Sequence, residues 1–145
     1  MRAPYQILAI PYKRTPELVF CVFRRVDGGQ FQFVAGGGED KETPRDAAVR
    51  EAREEAGVTA KSIISLTSVA YLPVNVISEK HRKLWSKEIY VIPEYAFGIE
   101  CDEDIRLSCE HIDFEWLNYD EAKSKLTWDS NKTALYELNC RLLAE

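Results

Sequence analysis

Three glutamates stand close together in one short segment of the sequence, namely Glu51, Glu54 and Glu55. Residues 44–56 carry the pattern of a helix, and side chains three or four positions apart on a helix are neighbours. Glu51 therefore has a carboxylate at each spacing, and each such pair costs roughly a few tenths of a kcal/mol if nothing neutralises it. A hard divalent cation would remove this repulsion, because Mg²⁺ prefers oxygen ligands. The spacing predicts a metal site, with a solvated charged face as the alternative.

Both ends of this helix are defined by the sequence. Thr43 can cap its N-terminus, and Pro44 suits the first helical position, where a backbone N–H would have no partner. Gly57 can adopt the left-handed conformation that ends many helices. At about 100° of rotation per residue, the side chains expected to pack on a sheet are Val49, Ala52 and Ala56.

The helix is part of a longer ordered pattern at residues 33–58, FVAGGGEDKETPRDAAVREAREEAGV. Gly36 is followed after five residues by Glu42, and after seven more by the pair Arg50-Glu51. An apolar residue, an arginine, two glutamates, a small residue, a glycine and an apolar residue complete the pattern. These 23 residues reproduce the Nudix box, and the chain resembles the Nudix hydrolase family.

The resemblance implies an α/β fold, an α/β/α sandwich with a mixed β-sheet. It also implies Mg²⁺- or Mn²⁺-dependent hydrolysis of a nucleoside diphosphate linked to another group. By position, Glu51, Glu54 and Glu55 would bind the metal, and the Gly36 carbonyl would be a further ligand. Glu54 or Glu55 would also act as the general base, and the sequence does not separate the two.

Other positions of the box would support this site. Arg50 would orient one of the carboxylates, and Glu42 would pair with Arg50 or assist the site from its loop. Gly37 would bring backbone close to the substrate phosphates. Two positions depart from the family's frequent residues, because Ala35 replaces a proline and Lys41 a glycine. The departures concern the shape of the loop rather than the metal chemistry.

One acidic residue outside the box is a further candidate. The segment LSCEHIDFEWL, at residues 107–117, resembles a recurrent Nudix segment in which a glutamate precedes a short strand that carries a tryptophan. Glu110 is therefore predicted to be an additional metal ligand or base. The alternative is an ordinary surface glutamate before a strand.

The substrate prediction rests on the C-terminal segment. Its run of Trp128 to Asn131 opens a final helix, and it resembles the branch that contains dATP and dihydroneopterin triphosphate pyrophosphohydrolases. Asn131 could present its amide to the edge of a base, and Trp128 could stack on the base. The alternatives are that Asn131 or a neighbour caps the helix and that Trp128 covers the core.

The rest of the chain must position these residues. Strands are expected at residues 5–12, 18–24, 31–35, 63–74, 88–99 and 113–117. Helices are expected at residues 44–56, 119–125 and 130–143, and a polar loop at residues 75–87. Without repeats or linkers, residues 1–145 are predicted to form a single Nudix hydrolase domain.

Composition narrows the functional class. The hydrophobic content of 46% supports a folded globule, and no apolar run is long enough to span a membrane. The net charge of −5 argues against stable nucleic-acid binding. The apolar start is too short for a signal peptide, and the four cysteines lack metal-site spacing, so a cytoplasmic location is expected.

The predicted function is metal-dependent hydrolysis of a dNTP or of dihydroneopterin triphosphate, with release of pyrophosphate. The partner is thus a small nucleotide or pterin triphosphate, and the protein is expected to be a monomer or a homodimer. A pyrophosphatase for ADP-ribose or another nucleoside-diphosphate-linked compound is the first alternative, since Pro73 lies 15 residues after Val58. The second alternative is a Nudix-fold binding module without catalysis.

Overall fold

A computed structural model of the chain describes residues 1–14, 16–102 and 104–145. Its strands are β1 (Arg2–Lys13), β2 (Val19–Arg25), β3 (Phe31–Gln32), β4 (Val34–Glu39), β5 (Ser62–Pro73), β6 (Val91–Glu100) and β7 (His111–Leu117). Its α-helices are α1 (Pro44–Ala56), α2 (Glu79–Arg82), α3 (Tyr119–Lys125) and α4 (Asp129–Leu143). A short 3₁₀ helix covers Val74–Val76.

The seven strands form a mixed sheet in which β1 is central. The order along the sheet is β3-β2-β1-β6-β5, while β4 pairs with β1 and β7 pairs with β2. β1 and β6 run parallel, whereas the other strand pairs are antiparallel. β1 therefore holds β4 on one side and β6 on the other, although these strands are far apart in sequence.

Side chains alternate along β1 and give the sheet two apolar faces. Ile7 is fully buried on the face that packs against α1, together with Ala52. Leu8 points to the opposite face and packs with residues of α3 and α4 such as Leu135. Because helices cover both faces, the predicted α/β/α sandwich with a mixed sheet is confirmed.

The predicted strand at residues 31–35 is wrong in its extent. β3 stops at Gln32, and β4 begins at Val34 and continues through the three glycines, which lie beyond the predicted strand. The glycines are in the sheet because β1 lies beside them, with Gly36 in register with Ile7 and Gly37 in register with Gln6.

The predicted loop at residues 75–87 contains helical turns instead. Ile77 and Trp85 fold inward and pack with Ile92 in a small apolar cluster, which explains why this polar segment is ordered. β6 begins at Val91, three residues later than predicted. Across the three described ranges, each helix is too short or too polar to cross a membrane.

Candidate catalytic cleft

α1 carries the glutamates of the box and is fixed at both ends. Thr43 Oγ1 accepts a hydrogen bond of 3.1 Å from a backbone N–H of the first turn. Gly57 ends the helix with φ of 69°, in the left-handed region. Ala48 and Ala52 are fully buried against the sheet, whereas Val49, which was predicted to pack there, is only partly buried. Small side chains let α1 approach the sheet closely.

The glycines of β4 leave room for long side chains that cross the strand. A Cβ atom on Gly36 would overlap the carboxylate of Glu51, which lies directly over the Gly36 backbone. A Cβ atom on Gly37 would overlap the guanidinium of Arg2, which reaches across from β1. The glycine pair therefore brings an acidic and a basic side chain against one stretch of backbone.

The turn between β4 and α1 keeps a glycine-like shape without glycine. Lys41 has φ of 67°, in the left-handed region that rarely suits side chains. Glu42, the next residue, is fixed by a hydrogen bond in which the Tyr5 hydroxyl donates to its backbone carbonyl at 2.8 Å. Tyr5 lies where a Cβ atom on Gly38 would be. The substitution of lysine for glycine thus leaves the left-handed turn in place.

Arg50 holds one half of the carboxylate cluster together. Its guanidinium forms two bonds of 2.9 Å to the Glu42 carboxylate and one of 3.0 Å to the Gly37 carbonyl. It also donates to Glu51 and Glu54, in each case at 3.1 Å. The two bonds from Arg50 lower the pKa of Glu42. Glu42 is therefore a partner of Arg50, and its carboxylate does not line the cleft described below.

Glu51 is the buried member of this half. Its side chain is 13% exposed, against 54% for Glu54. Burial raises the pKa of Glu51 to about 7, although Arg50 opposes this effect, and the nearby Glu55 and Glu54 charges add to it. Because Glu51 is buried, a nearby cation would stabilise its ionised form more than it would stabilise that of an exposed carboxylate.

Glu55 and Glu110 form the other half of the cluster. The Ser108 hydroxyl donates to the Glu55 carboxylate, and the Glu110 backbone N–H donates to the Ser108 hydroxyl at 3.2 Å. Burial raises the pKa of Glu110, and the adjacent Glu55 carboxylate raises it further. The structure therefore brings Glu110, from a separate segment, into contact with the box.

The oxygen atoms of this cluster are of the kind that a hard divalent cation binds. Glu51, Glu55, Glu110 and the backbone of Gly36 line the same cleft, and all offer oxygen atoms, the ligands that Mg²⁺ prefers. In the described ranges, no three acidic, histidine or cysteine side chains converge closely enough to enclose an ion as they stand. Arg50 and Ser108 donate to carboxylate oxygens on the two sides of the cluster, so a cation would bind those oxygens only after the side chains rotate.

These residues line an open cleft of about 680 Å³, which forms the polar end of the candidate site. Arg2, Arg25 and His81 bring basic groups to the same walls. A second, more apolar hollow of about 280 Å³ adjoins it, and Trp128 belongs to the walls of both. The arrangement is a polar end with acidic and basic groups that opens into an apolar end.

Trp128 and Asn131 both reach the apolar hollow, but in different ways. Trp128 is 45% exposed, and its indole N–H donates to Gln32 at 3.1 Å. Asn131 is buried, and its side-chain oxygen Oδ1 accepts a hydrogen bond of 2.9 Å from the backbone N–H of Phe33. The capping alternative is wrong, since Trp128 is the N-cap of α4 and no side chain caps this end. The Asn131 amide nitrogen donates to Ser130 Oγ at 3.3 Å, which leaves one of its two N–H groups for a ligand.

Among the polar residues that the sequence did not indicate, three form a hydrogen-bonded series along the walls of the cleft and the apolar hollow. Arg2 and Gln6 come from β1, and Glu94 comes from β6, where it is in register with Gln6. The Arg2 guanidinium donates to the side-chain oxygen Oε1 of Gln6 at 3.2 Å, and the side-chain amide nitrogen of Gln6 donates to the Glu94 carboxylate at 2.7 Å. The parallel pairing of β1 and β6 creates this series, and a linear sequence carries no signal for such pairing.

Sequence comparison agrees with this geometry. The NUDIX domain matches residues 7–138 of the chain. The chain belongs to the Nudix family. Among curated relatives, Nudix hydrolase 25 of Arabidopsis thaliana is 33% identical over 113 residues, which are 73% of this chain and 65% of that protein. The asymmetrical bis(5'-nucleosyl)-tetraphosphatase of Rattus norvegicus is 32% identical over 66% of this chain and 60% of that protein.

The chain spans 32% to 65% of the length of these and two further curated relatives. Among solved structures, a NUDIX hydrolase from Listeria monocytogenes is 42% identical, with a TM-score of 0.85, and the match covers 98% of this chain and 96% of that one. The dihydroneopterin triphosphate pyrophosphohydrolase of E. coli has a TM-score of 0.71 at 23% identity, covering 95% and 97% of the two chains. The latter likeness supports the Nudix fold.

Proposed function

We propose that residues 1–145 form one Nudix domain that hydrolyses a diphosphate bond of a nucleoside triphosphate or a related pterin triphosphate and releases pyrophosphate. The observation that carries the proposal is the layout of the cleft. Glu51, Glu55 and Glu110 line its polar end beside the basic groups, and the apolar hollow with Trp128 adjoins this end. A polyphosphate fits the first part and a ring system fits the second.

The residues of the polar end would hold Mg²⁺ or Mn²⁺. When bound, such a cation neutralises the diphosphate and makes a water molecule more acidic. Glu51, Glu55, Glu110 and the Gly36 carbonyl are the proposed ligands, with Glu54 as a further ligand after rotation away from Arg50. The proposed donors are all oxygen atoms, as this class of cation requires.

The remaining roles in the proposed hydrolysis are assigned to side chains of the protein. Glu55 is the proposed general base, because it lines the cleft and contacts Glu110, whereas Glu54 is exposed and bonded to Arg50. Arg50 positions the Glu51 carboxylate. Arg2 reaches over Gly37 into the cleft and is the proposed contact for a phosphate oxygen.

Release of pyrophosphate tests the proposal directly. The protein is incubated with Mg²⁺ or Mn²⁺ and a series of dNTPs, dihydroneopterin triphosphate, ADP-ribose and diadenosine polyphosphates. Released pyrophosphate is measured through a coupled pyrophosphatase, and nucleoside phosphates are measured by chromatography. Glu55→Gln should lower kcat on the active compound by at least about a hundredfold, because removing a general base typically costs 10²–10⁴-fold.

Asp46→Asn is the matched control for this variant. Asp46 lies on the same helix but is exposed in its first turn, and it does not line the cleft. It should therefore keep the wild-type kcat. Wild-type turnover that survives in Glu55→Gln would contradict the assignment of the base. Binding of nucleotides by a folded protein that hydrolyses none of them would favour a binding module.

A second candidate function is hydrolysis of a dinucleoside polyphosphate or ADP-ribose. It is supported by the identity of 32% to the rat tetraphosphatase, and by the position of Pro73 relative to the box. The same screen separates the candidates, because these compounds yield nucleoside phosphates, whereas a triphosphate yields free pyrophosphate.

A further inference from the structure

The apolar hollow contains a buried carboxylate that the proposed hydrolysis does not use. Glu94 is 5% exposed and lines this hollow beside Leu8, Phe33 and Leu72. It also borders a neighbouring hollow of about 220 Å³. A carboxylate in apolar surroundings is costly unless donors surround it. Burial raises the pKa of Glu94, and only the Gln6 bond opposes this effect.

The other polar side chains of the hollow already have partners. Gln32 accepts from the Trp128 indole, and the Asn131 carbonyl oxygen accepts from the Phe33 N–H. Throughout the described ranges, Glu94 accepts one side-chain hydrogen bond, from Gln6 to Oε2 at 2.7 Å. A carboxylate offers about four acceptor positions. Glu94 therefore keeps acceptor capacity in the hollow.

The orientation of Gln6 indicates that the Glu94 carboxylate is placed to accept hydrogen bonds from donor groups. Arg2 donates to Gln6 Oε1 at 3.2 Å, so the Gln6 amide nitrogen must point to Glu94. A donor in this position stabilises the ionised carboxylate, which only accepts hydrogen bonds. The ligand edge that complements an ionised carboxylate carries two adjacent N–H donors, which bind its two oxygens together.

We infer that Glu94 selects the ring of the substrate by accepting hydrogen bonds from an aminopyrimidinone edge, in which a ring N–H and an exocyclic amino group are adjacent. Guanine and pterins share this edge, whereas adenine has an acceptor beside its amino group and hypoxanthine lacks the amino group. The inference rests on the proposed function, since it places the ring of that substrate in the apolar hollow.

Matched nucleotides test the inference. The values of kcat/KM are measured for dGTP, dITP and dATP, because dITP differs from dGTP only in the missing amino group. The wild type should prefer dGTP over dITP by about tenfold or more, since a site built for a donor rejects the analogue that lacks it. In Glu94→Gln this ratio should fall close to one. Dihydroneopterin triphosphate is the parallel arm, and the faster of it and dGTP identifies the source of the edge.

Two further variants separate selection from structural support. Glu94→Asp keeps the charge but withdraws it by one methylene, so it should also lose most of the preference. Glu100→Gln is the control, because Glu100 is on the same strand but outside the cleft, and it should keep the wild-type ratio. A folded Glu94→Gln protein with an unchanged dGTP-to-dITP ratio would show that Glu94 only ties β6 to Gln6. A wild-type preference for dATP would overturn the edge assignment.

Binding keeps this test independent of turnover. Calorimetric titration of Glu55→Gln with dGTP and dITP measures the same discrimination in a protein expected to be inactive. Loss of discrimination in the double variant Glu55→Gln/Glu94→Gln supports the inference even if no triphosphate is hydrolysed. If hydrolysis occurs but binding never discriminates the two nucleotides, the proposed function stands and the inference about Glu94 fails.

Discussion

At the scale of single residues, Arg50 is the side chain on which the candidate site depends most. One guanidinium contacts Glu42, Glu51 and Glu54, as well as the Gly37 carbonyl. Planar guanidinium geometry is needed to bond both oxygens of Glu42 while still reaching the others. A lysine keeps the charge but cannot make this set of contacts.

Arg50→Lys should therefore lower kcat/KM on the active substrate by about 10–100-fold, the usual cost of losing a group that orients metal ligands. Steady-state kinetics at saturating Mg²⁺ would measure this loss. Arg53→Lys is the control, since Arg53 is exposed on the same helix. Equal activity of both variants would mean that Arg50 serves only to neutralise charge.

The residues of the box could be predicted because they are consecutive or nearly so. Helical spacing alone puts Glu51 near Glu54 and Glu55, and the structure shows how Arg50 bonds two of them. Glu94 could not be predicted, because its place in the apolar hollow depends on strand pairing with Gln6, 88 positions away in the sequence. Its sequence neighbours, with the pattern of an ordinary strand, give no sign of a buried charge.

At the scale of elements, Glu137 joins α4 to an irregular point of β5. The pairing of β5 with β6 shifts register between Ser65 and Val69. The Glu137 carboxylate accepts the backbone N–H groups of Thr67 and Ser68, each at 2.7 Å. Burial would raise the pKa of Glu137, but bonds from these groups, the Ser68 hydroxyl and Arg141 outweigh burial and hold it at about 2.

Glu137→Gln should destabilise the fold by ~1–2 kcal/mol at pH 7, a value reduced for solvent screening. The pKa is lower in the folded state, so the charged group contributes its full stability above the unfolded value of about 4.3. This contribution is lost as the pH falls from about 4.5 towards 2. Urea denaturation at several pH values should show the wild type and the variant converging over that interval.

Glu88→Gln is the control for this measurement, because Glu88 is exposed and its carboxylate has no partner among the described residues. It should change the free energy of unfolding by less than about 0.5 kcal/mol at every pH. A difference between wild type and Glu137→Gln that stays constant down to pH 2 would mean that packing, rather than charge, explains the loss.

Most elements were predicted well because their hydrophobic periods are regular. The helix at residues 44–56 has the predicted bounds, since its Thr43 cap and its terminal Gly57 are local signals. The predicted strand ends before the glycines of β4, because glycine is a poor strand former by itself. Their place in the sheet depends on the neighbouring β1, which no local signal records.

At the scale of the whole molecule, the proposed cation site would link cation binding to the stability of the fold. Glu55 and Glu110 come from α1 and from the segment before β7, so an ion held between them would join distant parts of the chain. Mg²⁺ at a hundredfold excess over its Kd should add about 2.7 kcal/mol. This gain corresponds to a rise of about 5–10 °C in Tm.

Thermal denaturation with and without Mg²⁺, at constant ionic strength, measures this rise. Glu55→Gln should lose most of it, and without the cation its Tm should equal or exceed that of the wild type, because one charge beside Glu110 is gone. The same Mg²⁺-dependent rise in wild type and Glu55→Gln would place the ion elsewhere.

The run of glycines in β4 has a consequence for how the sequence can change over time. At each of these three glycines, the space that a Cβ atom would fill is occupied by another side chain. The occupying residues are Glu51 at Gly36, Arg2 at Gly37 and Tyr5 at Gly38. Under the proposed function, a side chain at each of these positions would displace a residue needed for cation binding, for substrate binding or for the turn before α1, respectively. Mutational tolerance should be low at all three positions, but each would fail for its own reason.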